Sequence, residues 1–141
     1  MFVKQTGSDN PFNSFNAQIA ADPARNRIVP AFVDFDRDGD LDVFVGQEDG
    51  TIRYLKNIGS ETNPQFEEQF GSNNPFNQFN NLPRGEINNR ERVAPYFADL
   101  TADGFAEVVI AQDNRDSILS FEQFPKIVPQ SLLRFENNRF V

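Results

Sequence analysis

The sequence predicts an all-β protein made of about two copies of one unit, each unit holding four short antiparallel strands. Three observations carry that prediction. The chain repeats itself, its apolar runs are short and bounded by turn residues, and its 141 residues include 16 Phe, 9 Pro and 8 Gly beside many Asn. Such a composition suits pleated surfaces and frequent turns better than long helices. The length fits one domain, or two small repeats, around a moderate core.

Gly7-Ser8-Asp9-Asn10-Pro11-Phe12-Asn13-Ser14-Phe15-Asn16 returns about 64 positions later as Gly71-Ser72-Asn73-Asn74-Pro75-Phe76-Asn77-Gln78-Phe79-Asn80, a period longer than those of common solenoids. Val29-Pro30-Ala31-Phe32-Val33-Asp34 returns as Ala94-Pro95-Tyr96-Phe97-Ala98-Asp99, and Val43-Phe44-Val45-Gly46-Gln47 as Val108-Val109-Ile110-Ala111-Gln112. Phe2-Val3-Lys4-Gln5-Thr6-Gly7 lines up with Phe66-Glu67-Glu68-Gln69-Phe70-Gly71, so the chain opens in the outer strand of a preceding unit. The first unit is then 1–70, with its blade at about 28–70, and the second is 71–141.

Within the first unit, Pro30 to Val33 and Leu41 to Val45 are short apolar runs, and Thr51 to Lys56 alternates as a half-buried strand does. Phe66 to Gln69 makes the fourth strand. Glu48-Asp49-Gly50 reads as a hairpin turn between the second and third. Four short antiparallel strands per unit is the make-up of a propeller blade. The Asn- and Pro-rich segments from Asn10 to Arg27 and from Asn73 to Glu91 are expected to link blades, pinned to the sheets by Phe12, Phe15, Phe76 and Phe79. In the second unit Ser117 to Phe121 is followed by Pro125 and Pro129, and the tail at about 131–141 predicts a hairpin around Asn137-Asn138.

Between the first two strands runs Asp34-x-Asp36-x-Asp38-Gly39-Asp40-x-Asp42. Alternating carboxylates followed by glycine meet what Ca²⁺ demands of a short turn: hard oxygens converging at about 2.3–2.6 Å, and a residue that permits the sharp bend. Side-chain oxygens are assigned to Asp34, Asp36, Asp38 and Asp42, and a backbone carbonyl to Asp40. The turn is not an EF-hand, because Val45 holds the twelfth place and both flanks read as strand. Mg²⁺, which keeps its waters and takes few carboxylates, fits less well. The second turn, Asp99-x-Thr101-x-Asp103-Gly104-Phe105-x-Glu107, has a hydroxyl in place of one carboxylate and a longer acid at its end, with Phe105 contributing a carbonyl. It is either a weaker calcium site or a turn held by local hydrogen bonds.

The net charge of −8 leaves no basic surface for phosphates, so nucleic acid and anionic membranes are not expected partners. The absence of Cys and His excludes disulfides, thiol or imidazole catalysis and the common zinc and copper ligand sets. No run of residues has the length and apolarity of a membrane span, and the first residues lack the apolar core of a signal peptide.

These residues resemble the FG-GAP/VCBS-type repeats, the calcium-loop blades of integrin-α-like β-propellers. The resemblance is carried by Pro30 to Gly46 with the acidic turn inside it, by Gly50-Thr51-Ile52-Arg53-Tyr54-Leu55-Lys56-Asn57-Ile58-Gly59, and by Asn63-Pro64-Gln65-Phe66. It weakens after about Asn114. It implies calcium in the loop between the two inner strands of each blade. It also implies an extracellular or cell-surface setting, with adhesion, lectin-like binding or scaffolding as the output.

Two blades are too few to close a ring, since propellers take four to eight. Open edges must then be covered by head-to-tail assembly into a ring or filament, by further chain, or internally. Phe2, Val3, Lys4 and Gln5 form the candidate strand for completing a blade in a second copy, which would make the chain a homo-oligomer, and the sequence does not choose among these solutions. Self-assembly or surface adhesion by a calcium-stabilised module is the leading functional expectation. A glycan- or protein-binding propeller fragment is the alternative, and with no Trp and only Tyr54 and Tyr96 beside the Phe set it rests on analogy. No enzymatic role is expected, because the prominent acids stand at metal-ligand spacing within one turn and not across a cleft; loss of a hydrolytic activity on mutating Glu48, Glu67 or Glu68 would be needed to revive that reading.

Overall fold

The computed structural model describes residues 1–21, 27–81 and 92–112, together with the strand backbones of 117–121, 135–136 and 139–140. The protein is mostly β. Strands β1 (Val29–Val33), β2 (Asp42–Gly46), β3 (Ile52–Asn57) and β4 (Phe66–Gln69) form an antiparallel sheet in sequence order. β5 (Val93–Ala98), β6 (Glu107–Gln112) and β7 (Ser117–Phe121) form a second sheet of three strands among the described residues. β8 (Phe135–Glu136) pairs with β9 (Arg139–Phe140), Phe135 lying opposite Phe140. The rest of the 131–141 tail lies outside the described residues.

Register repeats between the two sheets. Phe32 lies opposite Val43 and Val45 opposite Arg53 in the first, as Phe97 lies opposite Val108 and Ile110 opposite Leu119 in the second. The hairpin at Glu48-Asp49-Gly50 is closed by the Gly50 N–H on the Gln47 carbonyl at 3.2 Å, and the Asp49 carboxylate accepts from the Thr51 N–H at 3.0 Å.

The period of two along β2 and β3 divides the core. Phe44, Ile52 and Tyr54 face the second sheet and pack with Phe76, Phe79, Val93, Val108 and Ile110. Val43, Val45 and Leu55 face the other way and pack with Phe15, flanked by Phe12, Ile19 and Phe66. The first sheet is thus covered on both sides, and every residue of β2 is buried.

The links contain helix, which composition alone did not lead us to expect. Asn10 accepts the Phe12 N–H on its side chain at 3.0 Å, a local turn that starts α1 (Asn13–Ala21). Asn74 does the same for Phe76 at 2.9 Å ahead of α2 (Asn77–Asn80). In α1 the positions of Phe15 and Ile19, four apart, put both side chains on the sheet. Arg53 reaches that helix from β3: its guanidinium pairs with Glu68, donates to Gln18 at 2.7 Å and lies 4.5 Å from the centre of the Phe15 ring. Phe12 stacks on Phe66 with ring centres 4.6 Å apart. All four link phenylalanines therefore contact the sheets.

Candidate metal centre

The turn from Asp34 to Asp42 leaves β1 and enters β2. Its bend needs two left-handed residues, Arg37 at φ 64° and Gly39 at φ 96°. The second turn has the same backbone, with Ala102 at φ 59° and Gly104 at φ 84°, although its ligand set differs.

In the first turn one oxygen of each leading carboxylate is used to shape the loop. Asp34 accepts from the Gly39 N–H at 3.2 Å, Asp36 from Asp38 at 3.4 Å and Asp38 from Asp40 at 3.1 Å. Oxygens of Asp34, Asp36 and Asp38 converge within 4.8 Å of one another. Two bonds of about 2.4 Å on opposite sides of one ion span that distance. Asp34 Oδ1 and Asp40 Oδ1 are shielded from solvent with no hydrogen-bond donor. A carboxylate oxygen in that state is costly unless a cation or donor reaches it, so the residues present fit a hard divalent ion.

Asp42 stands apart from this convergence. It is 1% exposed and is held from the strands, Oδ2 by the Tyr54 hydroxyl at 2.8 Å and Oδ1 by the Asn57 N–H at 2.7 Å. Burial pushes its carboxyl up to about 6, against the pull of those two donors, and the fields of Asp36 and Asp38 add to the rise. The Tyr54 hydroxyl is in turn held far above its ordinary range by burial and by Asp42. Asp40, assigned a carbonyl from sequence, has its carboxylate outside the converging set, with Oδ1 shielded and without a donor. Withdrawal from water and the neighbouring Asp38, Asp36 and Asp34 raise its pKa.

Lys56 enters the site from β3 and pairs with Asp36 Oδ2. Burial raises the Asp36 carboxyl, but the Lys56 ammonium outweighs it and leaves the group below its usual value. The hydrogen bond to Asp36 raises Lys56 in return. Arg37 crosses to the other turn, donating to the Gly104 carbonyl at 2.5 Å with its guanidinium 3.5 Å from the centre of the Phe105 ring. A cleft of about 310 Å³ separates the turns, with Asp34 and Asp99 on its walls.

The second turn satisfies its own acids. Asp99 accepts from Asp103 and Gly104 N–H groups at 3.2 and 2.9 Å, and Asp103 from Phe105 at 2.9 Å. Glu107, long enough to fold back, accepts from the Leu100 N–H at 2.6 Å and the Thr101 hydroxyl at 3.2 Å. Oxygens of Asp99, Asp103 and Glu107 still lie within 4.8 Å of one another. Among the described residues no carboxylate oxygen of this turn is buried without a donor.

Sequence reasoning missed Lys56, Tyr54, Asn57 and Arg37 as parts of these turns. A basic residue inside an acidic loop was a usable signal for Arg37. The other three come from a strand 12 to 20 residues away from the acids they bind, and no local pattern points to that pairing.

Fold and turns together define a class: a protein of repeated antiparallel β-blades whose inner strands are joined by acidic, glycine-bent loops. The sequence model of the FG-GAP-like repeat matches residues 34–110, more than half of the chain and both acidic turns. The chain belongs to the FG-GAP-like repeat family. No match is found among curated proteins or solved structures.

Proposed function

We propose that this chain is a non-enzymatic, calcium-stabilised β-repeat module that acts outside the cell or at its surface, in self-assembly or adhesion. The observation that carries the reading is the donor-less, solvent-shielded Asp34 Oδ1 beside two converging carboxylates. Asp34, Asp36 and Asp38 would hold the ion, with Asp40 contributing through its carbonyl or its own unpartnered oxygen. Asp42 anchors the end of the turn to Tyr54 and Asn57, and completes the set if one of its oxygens turns inward. Ca²⁺ supplies charge neutralisation and rigidity here, and no bond-making step. Asp99, Thr101, Asp103, Phe105 and Glu107 form the weaker second site, because Glu107 must first give up its two internal donors.

Assembly is supported by unequal edges. Phe66–Gln69 is the fourth strand of the first sheet, whereas β7 has only β6 as a partner among the described residues. Phe2, Val3, Lys4 and Gln5 match Phe66–Gln69 in the repeat and are exposed, Phe2 fully. Their addition to β7 of a second copy would complete that blade. The described residues include no helix long and apolar enough to cross a membrane.

Titration calorimetry with Ca²⁺, paired with solution mass in calcium and in chelator, tests both parts. Wild type should take up Ca²⁺ with heat, Asp34→Asn should lose most of that affinity, and chelator should lower the mass. No heat at millimolar Ca²⁺ would remove the basis of the proposal.

A further inference from the structure

We infer that Arg37 couples the two acidic turns, so that an ion held by the first turn orders the second and raises its affinity for a second ion. The inference rests on the calcium reading above and goes beyond it, from two separate sites to one linked pair.

Arg37 stands between Asp36 and Asp38, two of the three acids that converge in the first turn. Its backbone is left-handed, at φ 64°, a conformation that is costly for a residue with a Cβ and that the surrounding turn must hold in place. An ion bound through both neighbours would supply that hold and fix the point from which the side chain departs. Among the described residues no carboxylate pairs with the guanidinium, although aspartates flank it on both sides. It reaches across the cleft instead, donating to the Gly104 carbonyl at 2.5 Å with its carbon 3.5 Å from the centre of the Phe105 ring.

The landing point carries the coupling. The Gly104 carbonyl and the Phe105 N–H belong to one planar peptide group. Its N–H end donates to the Asp103 carboxylate at 2.9 Å, and Asp103 is one of the three acids that converge in the second turn. A charged donor on the carbonyl end polarises the group and strengthens the bond made at the other end. Arg37 therefore sets the plane on which a ligand carboxylate of the second turn hangs. With that plane already held, less order remains to be imposed when the second ion binds. Linkage makes the effect mutual, so an ion in the second turn favours the first by the same factor.

The two turns differ at the places such a bridge needs. Ala102 takes the position of Arg37 and shares its left-handed backbone, at φ 59°, but its methyl cannot reach the first turn. Phe105 takes the position of Asp40, so the second turn has a ring face where the first has an acid, and the guanidinium rests on it. Charge acting alone would give a different result. A fixed positive group beside the second turn repels a divalent ion whether or not the first turn is filled, and that uniform repulsion cancels in a cycle of variants.

Backbone amide NMR of the full chain during a Ca²⁺ titration tests this, with Gly39 reporting the first turn and Gly104 the second. Wild type, Asp34→Asn, Arg37→Gln and the double variant form the cycle, and melting checks that each is folded. Emptying the first turn by Asp34→Asn should weaken the second site about fivefold or more when Arg37 is present, and by less than about twofold when it is Gln. At Ca²⁺ levels that fill only the first turn, hydrogen exchange at the Gly104 and Phe105 amides should slow several-fold in wild type and stay unchanged in Arg37→Gln. Equal weakening with and without Arg37 overturns the inference, as does exchange at Gly104 that ignores the first ion, or a second turn that takes up no ion. No response at Gly39 sinks the calcium reading itself, whereas a response at Gly39 to which the second turn is indifferent sinks the coupling alone.

Discussion

Replacing Lys56 by Met should make the protein weaker without calcium and a better calcium binder. The Lys56 ammonium pairs with Asp36 and is the cation that the first turn holds in its metal-free form. An ion bound through Asp36 would sit within about 5 Å of that ammonium, given Ca–O bonds of about 2.4 Å. At water's dielectric constant the repulsion between charges of +2 and +1 at that distance is about 1.7 kcal/mol, and salt roughly halves it. Removing it should therefore lower the calcium Kd roughly five- to fifteenfold. In chelator the variant loses a pair whose side chains are 37% and 25% exposed, which screening reduces to about 0.5 kcal/mol of stability. Met keeps the packing of the stem, so the charge is the main change. Calorimetry of both proteins, with thermal melts in calcium and in chelator, reads the two effects separately. Equal or weaker calcium binding by Lys56→Met would refute the reasoning, since it would mean that the ammonium does not compete for Asp36.

Other consequences follow from the same contacts. Asp42 binds its proton more tightly folded, at about 6, than unfolded, near its ordinary 3.8, so its contribution in chelator is greatest below about pH 4. That contribution should decline by about 2–3 kcal/mol as pH rises to about 6 and level off above it; urea melts across that range should show the slope in wild type and a smaller one in Asp42→Asn. Thr101→Asp supplies the missing carboxylate of the second turn, and calorimetric stoichiometry should then approach two ions with a tighter second site. Phe44 is fully buried and its ring stacks on Tyr54 at 4.6 Å, so Phe44→Ala should cost about 3–5 kcal/mol in denaturant unfolding. Gly46→Ala should cost about 1–3 kcal/mol or more by forcing the sheets apart, measurable as a lower midpoint with near-UV spectral change.

Much of the fold was legible because its signals are local. Alternation along Thr51 to Lys56 and the short runs at Pro30 and Val43 placed β1, β2 and β3 to within a residue or so at each end, and the near-identity of Gly7–Asn16 with Gly71–Asn80 announced the repeat. The bend at Gly39 and the turn at Gly50 follow from glycine's freedom at positive φ, which depends on no distant partner. The links were harder. Asn and Pro read as irregular chain, and α1 forms because Phe15 and Ile19 find the sheet beneath them.

By itself the sequence settled which residues are strands, which are turns, and that Asp34, Asp36 and Asp38 share one bend, since each depends on neighbours a few positions away. Tertiary structure alone decided that Lys56 answers Asp36, that Asp42 turns to Tyr54 and Asn57, that Arg37 spans the two turns, and that Gly46 is where two sheets meet. Those pairings join residues 12 to 67 positions apart, and the energy that selects them comes from burial and charge across packed strands, which leaves no periodic trace along the chain.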